Sequence, residues 1–254
     1  MDDNLEGKED YGAMLPERRR DKIKALAKKA LPVPLWVRTS DLPKRAASAV
    51  LMVTVAGGAL WAGGLWWQLF IAVIGLIGIG ELARIAGRFS QNFVARTAIL
   101  VIGIVYISWA AYRLGGLPQE VVLGIVAVVI ATDTGAYFSG RAIGGPKIAP
   151  RISPSKTWAG LAGGMVAAGL VSLGFFASNG GGPLTAMGLA AFAIGAVLAI
   201  VAQAGDFLES WLKRRAAVKD SSNLIPGHGG VLDRVDGLLP VAIVSAELWY
   251  RMHP

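Results

Sequence analysis

Acidic side chains are scarce over most of this chain, and their positions are uneven. Of 17 Asp and Glu residues among 254, nine follow residue 45: Glu81, Glu120, Asp133, Asp206, Glu209, Asp220, Asp233, Asp236 and Glu247. Six of these are Asp133 or lie between Asp206 and Asp236. The denser group reads Gly205-Asp206-Phe-Leu-Glu209-Ser210-Trp-Leu-Lys213-Arg214-Arg215, then Lys219-Asp220, Pro226-Gly227-His228-Gly229-Gly230 and Asp233-Arg234-Val235-Asp236. At helical spacing Asp206, Glu209 or Ser210, and Lys213 share a face, as do Asp233 and Asp236. Residues 226–230 predict a tight turn that returns the chain, so carboxylates from two helix ends meet with Lys and Arg around them. Hard oxygen ligands of this kind suit Mg²⁺, and the bases suit phosphate oxygens. Surface ion pairing is the plainer alternative, but it does not explain acids concentrated at so few places.

The other region reads Asp133-Thr-Gly-Ala-Tyr137-Phe-Ser-Gly-Arg141, then Pro146-Lys147, then Arg151-Ile-Ser153-Pro-Ser155-Lys156-Thr157-Trp158. Asp133 and Tyr137 fall on one helix face. The segment after them gathers Arg, Lys, Ser and Thr among Gly and Pro, the chemistry of a phosphate-binding loop. A basic loop that only enforces membrane topology has a similar composition.

The elements that carry these groups are set by hydropathy. Hydrophobic residues make up 54% of the chain and charged residues 17%, with a mean hydropathy of +0.53. Soluble domains carry about 25% charged residues, so an ordinary soluble enzyme, a disordered chain and a disulfide scaffold are excluded. The absence of cysteine removes thiolate nucleophiles and Cys-type zinc sites. Residues 46–80 are 35 positions without a formal charge. As one helix they would reach roughly 52 Å, so they predict two spans turning near Gly63-Gly64, with Trp61, Trp66 and Trp67 as an interfacial belt. Further apolar stretches at 97–112, 117–138, 160–177, 184–204 and 237–250 bring the expectation to about seven transmembrane helices, the last short and containing Glu247. Gly160, Gly164 and Ala168, and likewise Gly75 and Gly78, suit close helix packing in lipid.

Charge distribution predicts orientation. With the N-terminus cytosolic, loops at 81–96, 139–158 and 205–236 carry twelve Lys and Arg against Arg113 and Arg251 opposite, in accord with the positive-inside rule. The net charge of +8 is thus a topology signal, and no nucleic-acid partner is expected. Residues 1–45 are a basic cytosolic segment, solvated or drawn to anionic headgroups, and 46–254 are a transmembrane catalytic domain. The expectation is an all-α, polytopic integral membrane protein with a cytosolic-facing polar site.

Residues 210–236 resemble, element by element, the signature of the phosphatidate cytidylyltransferase (CDP-diacylglycerol synthase) family. Its fixed positions stand here as Ser210, Lys213, Arg214, Lys219, Asp220, Ser222, Pro226, His228, Gly229, Gly230, Asp233, Arg234 and Asp236. Residues 133–157 also resemble the family's second block, including its Ser-Pro-x-Lys-Thr run at 153–157; residues 1–130 are similar only in hydropathy and topology. One departure is Ala159, where family members usually carry Glu, which puts any role of that acid in doubt here.

The resemblance implies transfer of a cytidylyl group from CTP to phosphatidate in a bacterial cell membrane. It implies Mg²⁺, with a second cation such as K⁺ left open, bound at Asp206 and Asp233. Lys213, Arg214, Lys219 and Arg234 are the candidates for phosphate contacts, and Asp236 for a ligand or an orienter of Arg234. Asp133, Arg151, Ser153, Ser155, Lys156, Thr157, Asp220 and His228 are the candidate substrate-binding residues, His228 having turn formation as its alternative. The expected partners are CTP, phosphatidate and the lipid bilayer, with a homodimer left open. Two other readings are a related CTP-dependent lipid enzyme, such as a polyprenol kinase or an archaeal-type lipid cytidylyltransferase, and an ion or solute transporter. The full motif argues against the first, and the lack of internal symmetry against the second.

Overall fold

The apolar stretches form long helices, and several continue past the points where charge resumes. The computed structural model describes residues 42–253. Their order is α1 (Leu42–Ala62), α2 (Gly64–Phe89), α3 (Phe93–Gly115), α4 (Gln119–Ala142), a hairpin of β1 (Lys147–Ala149) and β2 (Ser153–Thr157), α5 (Trp158–Ser178), α6 (Ala186–Arg215), the one-turn α7 (Leu232–Val235) and α8 (Leu238–Met252). The expected cytosolic segment 1–45 lies almost wholly outside the described residues.

Six helices, α1 to α6, are long and apolar enough to cross a membrane. The seventh expected span is α8, whose 15 residues at about 1.5 Å each fall short of a hydrocarbon core of ~30 Å. The expectation of an all-α chain is corrected by the hairpin, in which Lys147 pairs with Thr157 and Ala149 with Ser153. Pro146, Pro150 and Pro154 deny helical hydrogen bonds throughout this segment, which leaves extended backbone as the alternative. The loop expected at 81–96 is largely helical and that at 205–236 begins as helix, because α2 runs to Phe89 and α6 to Arg215. Leu82, Ile85 and Ala86 keep one face of the α2 extension buried.

Small residues govern the packing, as expected where lipid leaves little hydrophobic drive between helices. A Cβ added at Gly163 would strike Ser139, and one at Gly164 would lie 2.9 Å from the Thr132 carbonyl, so α4 and α5 approach backbone to backbone. Ala168 is fully buried, and Gly195 of α6 lies against its carbonyl, which extends the same stripe into the α5–α6 contact. One buried cluster joins Trp67, Val122, Val128, Leu198, Val241 and Ala246 from α2, α4, α6 and α8. A second, with Leu82, Ile85, Ile107, Ala216 and Leu232, lies beneath the polar end. Outward-facing Leu51, Val53, Leu76 and Ile102 are exposed, as a lipid-facing surface requires.

Local chemistry starts the helices next to the polar segments. The Asn92 side chain accepts from Val94 N at 2.8 Å and starts α3, and Thr157 Oγ1 accepts from Gly160 N at 3.0 Å and starts α5.

Candidate active site

The two polar regions of the sequence meet at one end of the bundle. Lys156, at the end of β2, forms an ion pair with Asp206 on α6, whose other oxygen lies 3.4 Å from Ser210 Oγ. The hairpin is what carries Lys156 to α6. Asp133, Tyr137 and Arg141 from α4, with Lys147 and Ser155 from the hairpin, line a cleft of about 390 Å³ around Lys156. Gln203 on α6 closes it and is buried.

About two turns beyond Asp206 on α6, Lys213 bridges buried Glu209 and Asp233, lying 2.7 Å from Asp233 Oδ1. Asp233 also accepts from Gly230 N at 2.8 Å and Ser221 N at 3.0 Å, and lies 3.0 Å from Ser221 Oγ. Burial raises its carboxyl, but hydrogen bonding with Glu209, Lys213 and the Gly230 N–H, together with the Lys213 charge, brings it down to about 2. Asp236 differs. Burial and then the Asp206 charge push its carboxyl up to about 7, against the pull of the Gly237 N–H, Lys213 and Lys156. A Cβ at Gly205 would strike the Asp236 carbonyl, so a glycine next to Asp206 is what lets the α7–α8 junction close on α6.

Glu81 fastens the returning segment. Only 3% exposed, its carboxylate accepts from Ser222 Oγ and Val231 N on one oxygen, and from Ser221 Oγ and Leu232 N on the other. The consecutive glycines of the signature follow from this. Gly229 has φ 83°, and a Cβ at Gly230 would strike Ser221 Oγ and the Glu81 carboxylate. The expected turn is present, with Ile225 N donating to Gly229 O at 2.8 Å and His228 N to Ile225 O at 2.9 Å.

The remaining expected residues divide clearly. His228 Nδ1 lies 2.8 Å from Ser48 Oγ, which also reaches the Pro226 carbonyl, tying α1 to the turn. Arg234 donates Nε and Nη2 to the His228 carbonyl at 3.0 and 2.6 Å, which commits two of its five N–H donors to closing that turn. Thr157 is buried and caps α5, and Arg214 donates to the Ile152 carbonyl, bracing the hairpin against α6. Arg151 is exposed at the hairpin tip, with Ser153 at the start of β2. Lys219 and Asp220 line a separate cavity with Arg84 and Arg88. Ala159, the departure from the motif, is in the first turn of α5.

The region bearing this geometry matches a known family. A match to the cytidylyltransferase family spans residues 91–251, well over half of the chain. The chain belongs to that family. Among its relatives is the phosphatidate cytidylyltransferase of Brucella suis biovar 1, 36% identical over 253 residues, covering 80% of this chain and 91% of the relative. That of Pseudomonas aeruginosa is 31% identical over 266 residues, covering 82% and 97%. That of Haemophilus influenzae is 44% identical over 117 residues, covering 46% and 41%. The cytidylyltransferase match takes in Asp133, Lys156, Asp206, Lys213, Asp233 and Asp236, whereas Ser48 and Glu81 precede it.

Ser48, Glu81 and Gln203 take part in the site although no sequence motif marks them, whereas Glu209 belongs to the acidic cluster expected on α6. Glu81 carried a signal: it is the first acid after 35 uncharged positions, on a helix whose neighbours Leu82 and Ile85 are apolar, and a glutamate so placed needs partners. Gln203 and Ser48 carried none.

Proposed function

We propose that this chain is a phosphatidate cytidylyltransferase, transferring the cytidylyl group of CTP to phosphatidate and releasing pyrophosphate. The observation that carries the reading is the Lys156–Asp206 ion pair, which joins the chain's two motif regions at one polar end of an apolar bundle. A phosphate oxygen of phosphatidate forms a bond to the α-phosphorus of CTP, and the bond from that phosphorus to the bridging oxygen of the β-phosphate breaks. Phosphatidate is already anionic near neutral pH, so no strong base is needed. The demand on the protein is to bring two polyanions together and to stabilise charge at phosphorus and on the departing pyrophosphate. Lys156, Arg141 and Lys147 face the cleft and supply that charge. Lys213 is held between Glu209 and Asp233 and acts through their placement.

Mg²⁺ belongs to this reading, with Asp206 and Asp236 as its holders. Asp206 on α6 and Asp236 at the α7–α8 junction are carboxylates close enough for the Asp206 charge to raise the Asp236 carboxyl, a donor set suited to a hard cation. Asp233, the other expected ligand, has both oxygens engaged by Lys213, Ser221 and Gly230 and fits the ion less well. Among the described residues no three His, Asp or Glu side chains converge as a metal cluster; Mg²⁺ commonly takes one or two carboxylates and completes its coordination on substrate phosphates. When bound, the ion supplies neutralisation of phosphate charge.

The basic residues of the hairpin and the α6–α7 segment support a cytosolic-facing site in a bacterial inner membrane. The test is purified protein with radiolabelled CTP, short-chain phosphatidate and Mg²⁺. CDP-diacylglycerol and pyrophosphate should appear in equal amounts; their absence, with modification of a polyprenol instead, would refute the assignment.

A further inference from the structure

A second polar cavity, of about 780 Å³, shares no lining residue with the Asp133–Lys156 cleft. One wall is the end of α2, where Arg84 and Arg88 stand one turn apart on the same face. The other is the 218–224 segment, with Lys219, Asp220 and Asn223. This wall is fastened. Ser221 and Ser222 both donate to Glu81, one turn before Arg84, so the two sides are held by a buried carboxylate. Arg84, Arg88 and Lys219 have no carboxylate within 4.0 Å among the described residues, and Asp220 is the one acidic group in the lining, so three cations face one anion.

Basic residues that only set membrane orientation have no reason to converge from two separate elements on one volume. Two guanidinium forks and an ammonium around a cavity are the means by which proteins hold phosphate, since each fork offers paired donors to two phosphate oxygens. We infer that the Arg84–Arg88–Lys219 cavity binds a multiply charged phosphate group. Ile85, Val218 and Leu224 in the same lining suit a phosphate that carries an acyl-glycerol body, while the polar remainder also suits free pyrophosphate. The inference concerns binding and does not depend on the chain's turning over any particular lipid.

The test uses the full chain in a neutral detergent, titrated calorimetrically with inorganic pyrophosphate and, separately, with dioctanoyl phosphatidate. The double variant R84Q/R88Q is expected to weaken one or both probes by about tenfold or more, the scale of a lost charge-assisted contact. R84K/R88K should recover part of the loss, and R96Q, which removes a nearby exposed charge outside the lining, should lose nothing. A loss confined to pyrophosphate assigns the cavity to a free phosphate, and one confined to phosphatidate assigns it to a lipid. Binding of both probes within twofold of the parent, or an equal loss in R96Q, overturns the inference. Should R84Q/R88Q fail to fold, Asn223→Cys gives a second readout in a chain without native cysteine. Either probe should slow its maleimide labelling, and labelling unaffected by both overturns the inference. Protein that binds but forms no CDP-diacylglycerol would sink the proposed reaction and leave the cavity standing.

Discussion

Replacing Glu81 by Gln tests whether a buried carboxylate outside the family match holds the site together. The side chain keeps its shape but loses one acceptor oxygen. Val231 N, at 3.0 Å, points at one carboxylate oxygen and Leu232 N, at 2.7 Å, at the other. Whichever way the new amide turns, its NH₂ group faces one of these backbone donors. Ser221 and Ser222 can rotate to accept, but a backbone N–H cannot. One buried N–H is therefore left without an acceptor, at about 1–3 kcal/mol, and the surviving bonds lose their ionic character. The sum is about 2–4 kcal/mol, below the 5–15 kcal/mol or so that holds a typical domain folded. The protein should still fold, with the loss falling on the 221–232 segment, whose opening precedes global unfolding.

Hydrogen exchange reads this directly. The Val231 and Leu232 amides of Glu81→Gln should exchange about 30-fold faster or more, the equivalent of ~2 kcal/mol. CDP-diacylglycerol formation should fall at least about tenfold, because Asp233 and Lys213 lose their fixed relation to Asp206. If exchange stays within threefold and turnover within twofold of the parent, Glu81 is not a positioning residue.

Four further outcomes follow from the same geometry. Asp206→Asn should abolish turnover, by about 100-fold or more, with little change in thermal midpoint, since its partly exposed pair with Lys156 contributes only about 0–1 kcal/mol. Asp233→Asn should instead lower stability by about 2–4 kcal/mol, as Lys213 and Glu209 lose a fixed partner; the reverse pattern would exchange the two roles. Asp236→Asn should raise the Mg²⁺ needed for half-maximal turnover about tenfold, whereas an unchanged Mg²⁺ dependence removes Asp236 as a ligand. In a reconstituted inner-membrane orientation, Asn223→Cys should be labelled from the cytosolic side and Leu184→Cys, on the exposed α5–α6 loop, from the other, so labelling of both from one side would overturn the topology.

What could be read in advance follows a physical division. Spans, turns and motif acids are local properties: 35 uncharged positions, a Pro-Gly-His-Gly-Gly run and acids three or four apart each carry their meaning without knowledge of the fold. The hairpin at 147–157 and the continuation of α2 and α6 beyond their apolar stretches are decided by three prolines and by one buried face, features that hydropathy averaging removes. Partner choice within the motif was the least legible. Lys213, Arg234 and Asp233 all belong to one signature and all suit phosphate or metal by type. In the structure Arg234 turns Nε and Nη2 to the His228 carbonyl, and Asp233 spends its oxygens on Lys213, Ser221 and Gly230. Residue type names the chemistry a side chain can perform, while the donors around it decide how much of that capacity is left. By that measure Asp236, which takes a single hydrogen bond from Gly237 N, retains more than Asp233, while Lys156 and Asp206 are held to each other.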